Sequence, residues 1–241
     1  MKRLVPSHGQ HFLRSSAFIA ELIGHSNIRK NDLVVDLGAG SGAITAVLGR
    51  RAARVIAIEN EPVAYAKLQQ NLGHDPKVTI VHGDMRQVEL PKQPYKVFAN
   101  IPFRLSSQMV RRLTTDGHPP KAVYLIVQRQ FAQKLITSGD HFHGALGMMI
   151  APWWHARIRR PLRKTDFTPP PAVDTVLLEI TPRLEELLPS EQQASYMQFV
   201  EKCYAEPRYY TRVGGSKEFK PSQLTIEEWV VLYSRQAHSF L

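Results

Sequence analysis

A single cysteine, Cys203, stands in a chain of 241 residues. That excludes an internal disulfide framework and any metal site built on clustered thiolates, and it fits a reducing compartment. Also missing is any apolar run approaching the roughly 18–20 residues needed to cross a bilayer. The opening MKRLVPSHGQHF has basic residues with no apolar stretch behind them, so neither a membrane partner nor a secretory leader is expected, and the expected location is the cytoplasm. The ten histidines lack a ligand spacing with nearby carboxylates, so no metal is expected. Acidic residues are in short supply: 21 Asp and Glu face 31 Lys and Arg, for a formal charge of +10. Such an excess favours polyanionic partners, nucleic acid above all, yet a basic soluble enzyme fits it equally well. With 43% hydrophobic residues the chain has enough apolar material for a core, which excludes a disordered or fibrous protein.

There are no repeats and no low-complexity segments. From residue 32 onward, short apolar runs alternate with amphipathic stretches. The runs 32–37, 54–59, 78–82, 95–99 and 121–128 are rich in β-branched residues and almost continuously apolar, as strands covered on both faces are. Helical patterns at 43–51, 62–72, 106–114 and 130–137 lie between them. Strands alternating with helices predict βαβ units and a mostly parallel sheet. Pro62 suits the first turn of its helix, with Asn60 or Glu61 as cap. Two later strands, 153–160 and 173–181, flank the proline-rich Asp166–Pro171 loop with no helix between them, which predicts an antiparallel hairpin at a sheet edge. After Pro182 the composition changes: 184–205 and 225–237 have helical periodicity around a stretch with Gly214 and Gly215. The expected organisation is an α/β domain over 1–182 and a small all-helical domain over 183–241, too short to rely on its own core.

The strongest local signal is Asp36-Leu37-Gly38-Ala39-Gly40-Ser41-Gly42 at the end of the first strand. Its glycines permit a tight strand-to-helix turn and let a ligand approach the backbone near a helix N-terminus. Gly38, Gly40 and Ala43 also satisfy the dinucleotide pattern G-x-G-x-x-G/A, so a nicotinamide enzyme stays open at this point. Glu59 ends the next strand, where a carboxylate accepts hydrogen bonds from a ribose diol, a group shared by nicotinamide and adenosyl cofactors. The third strand ends in Gly83-Asp84-Met85, at the carboxyl edge where ligands of open α/β sheets bind. Asp84 can accept from an exocyclic amine there, and the following N–H can donate to a ring nitrogen.

Asn100-Ile101-Pro102-Phe103 ends the fourth strand and separates the readings. An amine conjugated to a purine is a poor nucleophile because its lone pair is delocalised into the ring. Acceptors at its N–H bonds turn that lone pair toward a methyl sulfonium. Asn100 Oδ1 and the Ile101 carbonyl supply two such acceptors beside the rigid Pro102. Phe103 offers a stacking face of the kind an extruded base needs. A nicotinamide oxidoreductase leaves this turn unexplained, and a noncatalytic RNA-binding protein has no use for a complete cofactor set.

Taken with Gly9-Gln10-His11-Phe12-Leu13 before the sheet and Asp166–Pro171 after it, these motifs resemble, in order over residues 8–181, the rRNA adenine N6-methyltransferase family. The Asn-Ile-Pro-Phe turn is similar to the erythromycin-resistance (Erm) branch, which acts on 23S rRNA, whereas the small-subunit dimethylases more often have Asn-Leu-Pro-Tyr. The resemblance implies a Rossmann-like S-adenosylmethionine-dependent domain with a helical tail. It implies a monomer whose partner is a single-stranded or loop adenine of 23S rRNA, and resistance to macrolide, lincosamide and streptogramin B drugs. It implies cofactor contacts from Gln10, His11, Leu13, Gly38, Gly40, Glu59, Asn60, Asp84, Met85 and Asn100, transfer at Asn100 and Ile101, and a base held between Phe103 and Phe167. Erm-type enzymes usually have Asn where this chain has His11.

Basic residues bracket both aromatics: Arg104, Arg111 and Arg112 on one side, and Arg159, Arg160, Arg163 and Lys164 on the other. They are expected to contact RNA phosphates, giving affinity and salt dependence rather than sequence choice. Trp153 and Trp154 are expected to pack in the interior, and Cys203 to be a buried small hydrophobe.

Overall fold

The computed structural model describes residues 11–138 and 142–238. Its strands are β1 (Phe12–Leu13), β2 (Leu33–Leu37), β3 (Arg54–Glu59), β4 (Val78–His82), β5 (Lys96–Ala99), β6 (Ala122–Gln128), β7 (Trp154–Leu162), β8 (Phe167–Thr168) and β9 (Thr175–Pro182). Its helices are α1 (Ser16–Gly24), α2 (Ala43–Arg51), α3 (Pro62–Leu72), α4 (Ser106–Thr115), α5 (Arg129–Leu135), α6 (Ala145–Ile150), α7 (Gln193–Ala205), α8 (Pro207–Arg212) and α9 (Ile226–His238).

Seven strands form one sheet in the order β4-β3-β2-β5-β6-β9-β7. The pairings from β4 to β6 are parallel, with Val35 opposite Ile56 on one side and Val97 on the other. β9 and then β7 complete the sheet beyond β6 as antiparallel strands, with β7 at the edge, so the fold is the expected Rossmann-like α/β architecture. Burial explains the sequence pattern: β2, β5 and β6 are closed off by neighbours and helices, and Val34, Val97 and Val123 are fully buried. β4 departs from the expectation of two covered faces. It has a neighbour on one side only, and Thr79 and His82 are exposed.

Local chemistry sets the helix starts. Glu61 caps α3, accepting from the Val63 and Ala64 N–H groups at 3.0 and 2.7 Å, with Pro62 in the first turn. Ser15 caps α1, whose Ile19, Leu22 and Ile23 lie on one buried face. Arg50 and Arg51 close the last turn of α2, where cations favour the negative end of the helix dipole. A separate two-stranded ribbon joins β1 to β8, with Phe12 opposite Thr168 and Leu13 opposite Phe167.

The chain forms two compact units, one comprising residues up to Arg129 with Ile158–Glu179, the other Gln130–Arg157 with Ile180 onward. They do not divide at residue 182, because the 130–157 segment is tied to the C-terminal helices. The His143 N–H donates to the Ser222 carbonyl at 2.9 Å, the Tyr204 hydroxyl to the His143 carbonyl at 3.0 Å, and Trp153 Nε1 to the Leu188 carbonyl at 2.9 Å. The core of this unit is aromatic: Trp229 is fully buried, stacks on Tyr204 at 5.8 Å and meets Phe199 edge-on at 6.1 Å. Cys203 is buried here as expected, and burial pushes its thiol up to about 12, so it is an inert packing group.

Candidate active site

In this strand order the connections reverse direction between β2 and β5, which lie side by side. Loops leaving the carboxyl ends of two such strands diverge and open a crevice. The glycine loop leaves β2 and the Asn100 turn leaves β5, so topology alone brings these two motifs together. Between them is a cavity of about 360 Å3 lined by Gly38–Ser41, Glu59, Met85, Asn100–Phe103 and His11–Leu13. That volume lies in the usual range for a small-molecule site.

The glycine loop is shaped by necessity at two positions. Gly38 has φ of +73°, and a Cβ there would come within 2.7 Å of Met85 Cε. Gly42 has φ of +95°, and a Cβ would meet Leu68 and Leu72 of α3 at 2.7 Å. Glu59 is 6% exposed and held by three backbone donors: Gly40 N–H at 2.7 Å, Asn60 N–H at 2.9 Å and Glu61 N–H at 2.8 Å. Those bonds fix the carboxylate without using all of its lone pairs, so it can still accept from a diol. Asp36, beneath the loop, is buried and accepts from Thr45 Oγ1 at 2.6 Å. Burial pushes its carboxyl up to about 7, Thr45 pulls it back and nearby Glu59 raises it further.

The third strand end divides its expected roles. Met85 lines the cavity and Asp84 does not. Asp84 turns to Arg86, accepting from its Nε at 2.9 Å and its backbone N–H at 2.8 Å, and this pairing holds the Asp84 carboxyl below the usual carboxylate range. Arg112 reaches across from α4 and donates to the Met85 and Val88 carbonyls, which ties the Met85 loop down. This corrects its placement among the RNA cations, because its guanidinium is committed to backbone. Asn60 also stays outside the cavity, with its carbonyl 3.1 Å from His82 Nε2. Lining residues outside the expected set include Glu61, the cap of α3, and Val63, Ala64 and Lys67 on its first two turns. Their signal was available, since α3 starts three residues after Glu59 and must lie along the crevice rim.

At the Asn100 turn, Asn100 Nδ2 donates to the His11 carbonyl at 2.6 Å. The amide is thereby oriented, and among the described residues Oδ1 has no partner. Phe103 and Ile101 line the same end of the cavity. The His11 ring stacks on Phe103 at 5.8 Å between centroids and meets Phe167 edge-on at 6.5 Å. Phe167 departs from its expected place. It is 0% exposed and belongs to the hydrophobic core, because pairing with Leu13 in the β1–β8 ribbon turns it inward under His11. Gln10 lies outside the described residues.

The sequence matches the ribosomal RNA adenine dimethylase family over residues 1–210. The chain belongs to that family. Members of this family are S-adenosylmethionine-dependent, and this chain is an rRNA adenine N6-methyltransferase. The site fits that cofactor: the Gly38 backbone is bare for close approach, and Glu59 is preset to take a ribose diol. Among similar proteins, the rRNA adenine N-6-methyltransferase of Bacillus licheniformis is 28% identical over 216 residues, covering 90% of this chain and 75% of that protein. The ribosomal RNA small subunit methyltransferase A of Gloeobacter violaceus is 31% identical over 180 residues, covering 73% of this chain and 66% of that protein. The crystal structure of the 23S rRNA methyltransferase ErmE superposes with a TM-score of 0.76 at 24% identity, covering 93% of this chain and 98% of that one, a likeness of fold.

The expected RNA cations are unevenly placed. Arg104 is exposed and makes no hydrogen bond or ion pair among the described residues. Arg159 Nε donates to the His25 carbonyl at 2.9 Å and its guanidinium lies 4.0 Å from buried Glu179, while Arg160 pairs with Glu21 and His25. Arg163 pairs with Asp166 at 3.3 Å yet keeps 80% of its side chain exposed, and Lys164 donates to the Ala172 carbonyl at 2.8 Å. Among the described residues, no helix is long and apolar enough to cross a membrane, and no group of three or more His, Cys, Asp or Glu is placed to hold a metal.

Proposed function

We propose that this enzyme methylates N6 of an adenine in 23S rRNA, acting as a cytoplasmic monomer on a loop or single-stranded site and conferring macrolide, lincosamide and streptogramin B resistance. The observation that carries the reading is the pinned Asn100 amide: Nδ2 is fixed on the His11 carbonyl, so Oδ1 is left as an acceptor at the cavity end that Phe103 lines. When bound, S-adenosylmethionine supplies an electrophilic methyl on sulfur. Glu59, the Gly38–Gly40 backbone and Met85 hold it, and Asn100 Oδ1 with the Ile101 carbonyl accepts the two N–H bonds of the target amine. That arrangement turns the amine lone pair out of conjugation. No strong base is demanded of the chain, because the methylated amine sheds its surplus proton readily. Arg104 and Arg163, exposed near the Asn100 turn and the Phe167 ribbon, contact RNA phosphates, aided by the C-terminal helices.

The Asn-Ile-Pro-Phe turn supports the large-subunit substrate, as does the likeness of fold to the 23S rRNA methyltransferase ErmE. The Gloeobacter relative supports the competing small-subunit substrate. Labelled S-adenosylmethionine with protein-free 23S and 16S rRNA separates them. Labelled N6-methyladenine in 23S rRNA is expected, and label in 16S rRNA alone overturns the proposal. Mass spectrometry of the product counts the methyl groups.

A further inference from the structure

We infer that the His11 imidazole occupies the slot of the target base in the free protein, and that the base reaches Asn100 by displacing it. The inference rests on the reading of Asn100 as the transfer site. A planar aromatic ring already lies against Phe103, at 5.8 Å and 27° between planes, with its edge toward Phe167. The ring is also hydrogen bonded, its Nδ1 2.8 Å from the Pro169 carbonyl. Stacking on one aromatic face with an N–H directed to an acceptor is what the structure would ask of an extruded adenine. His11 supplies both from within the chain, and Phe167 is fully buried beneath it.

The two halves of His11 act separately. Its carbonyl receives Asn100 Nδ2 at 2.6 Å, and the neighbouring Phe12 and Leu13 are zipped to Thr168 and Phe167. The backbone therefore keeps Asn100 oriented while the side chain turns about its own bonds. When the imidazole leaves, the Phe103 face becomes available to the base, while the freed Pro169 carbonyl turns to water, because both N–H bonds of an adenine amine go to Asn100 Oδ1 and the Ile101 carbonyl. An incoming base must replace the stacking that His11 gave up, and a purine, with the larger face, does so better than a pyrimidine. His11 is thus a positioning residue through its carbonyl and a specificity determinant through its ring.

Two measurements test this on the full-length protein with a short rRNA transcript that the enzyme methylates. In histidine-labelled protein, the His11 ring signals, assigned by their loss in His11→Ala, are expected to be shifted upfield by Phe103 and to move toward solvent positions when the transcript saturates the protein. His11→Ala keeps the carbonyl and is expected to lower KM for the transcript, measured at saturating cofactor, by roughly 2- to 10-fold, the worth of one aromatic pair, with melting temperature held. Active protein whose His11 signals stay shifted on saturation, or a His11→Ala variant whose KM rises, overturns the inference alone. Wild-type protein that methylates neither rRNA overturns the functional reading and this inference with it.

Discussion

Replacing Asp36 by Asn is expected to remove a pH-dependent loss of stability. Asp36 is 1% exposed, Thr45 is bonded to its Oδ2 at 2.6 Å, and its Oδ1 has no partner. Burial raises this carboxyl from 3.8 to about 7 in the folded protein. In the unfolded chain it titrates at the ordinary value. Between about pH 4 and pH 7 the folded state therefore holds a proton that the unfolded state has lost, so stability falls as pH rises through that window. Above pH 7 both states are ionised and the contribution is flat. Some three pH units at about 1.4 kcal/mol each set an upper limit of about 4 kcal/mol. Asn stays neutral and keeps an oxygen for Thr45, so it mimics the protonated acid at every pH. Urea unfolding of cofactor-free wild type and Asp36→Asn at pH 5, 6, 7 and 8 reads the difference directly. The wild type is expected to lose ground to the variant by roughly 1 kcal/mol per pH unit up to about pH 7. A difference that is constant across the series, or that shifts in favour of the wild type as pH rises, would falsify the argument, because either result means a carboxylate already ionised in the fold.

Two further outcomes are expected. Arg112→Met frees the Met85 and Val88 carbonyls, so cofactor affinity by calorimetry should fall on the order of tenfold while the slope of RNA affinity against salt stays unchanged; the opposite pattern returns Arg112 to the phosphate contacts. Asn100→Ala should bind cofactor like the wild type yet lose at least about 100-fold in methyl transfer, the usual weight of one transition-state hydrogen-bond partner, and loss of cofactor binding in the same titration contradicts the role given to Asn100.

The parallel sheet was legible because βαβ units leave a coarse signature: continuous apolar runs punctuated by glycine loops and helix caps. The bounds of β3, α2 and α3 agree with the pattern to the residue. The glycine loop, Glu59, Met85 and the Asn100 turn were legible for the same reason, since each sits at a strand end and topology carries strand ends to one crevice. What sequence concealed were choices made by side chains among competing partners, near or distant in the chain. Asp84 has Arg86 two residues away and takes it in preference to the cavity. Phe167 is an aromatic in a proline-rich loop, which reads as a ligand contact, until pairing with Leu13 turns it into the core. The division at residue 182 failed to show that 130–157 packs with the tail, because no composition shift marks hydrogen bonds such as His143 to Ser222.

The same distinction decides which of the ten surplus positive charges can serve RNA. A cation is available to a phosphate only if leaving its present partner costs little. Arg159 lies 4.0 Å from Glu179, which is 3% exposed and accepts from the Tyr124 hydroxyl at 2.7 Å. Withdrawing that guanidinium would weaken the compensation of a buried carboxylate, a loss on the order of kilocalories. Arg112 would leave two carbonyls unmet. Arg163 is held more loosely: its side chain is 80% exposed, and although the Asp166 side chain is only 8% exposed, that carboxylate also accepts the Arg163 backbone N–H at 2.8 Å and so keeps a partner when a phosphate takes the guanidinium. Arg104 has no pair to give up among the described residues. A charge run in sequence is therefore not one surface in function. Its arginines divide into those that brace α1 and the Met85 loop, so that the site keeps its shape, and those left free enough to draw a polyanion toward it.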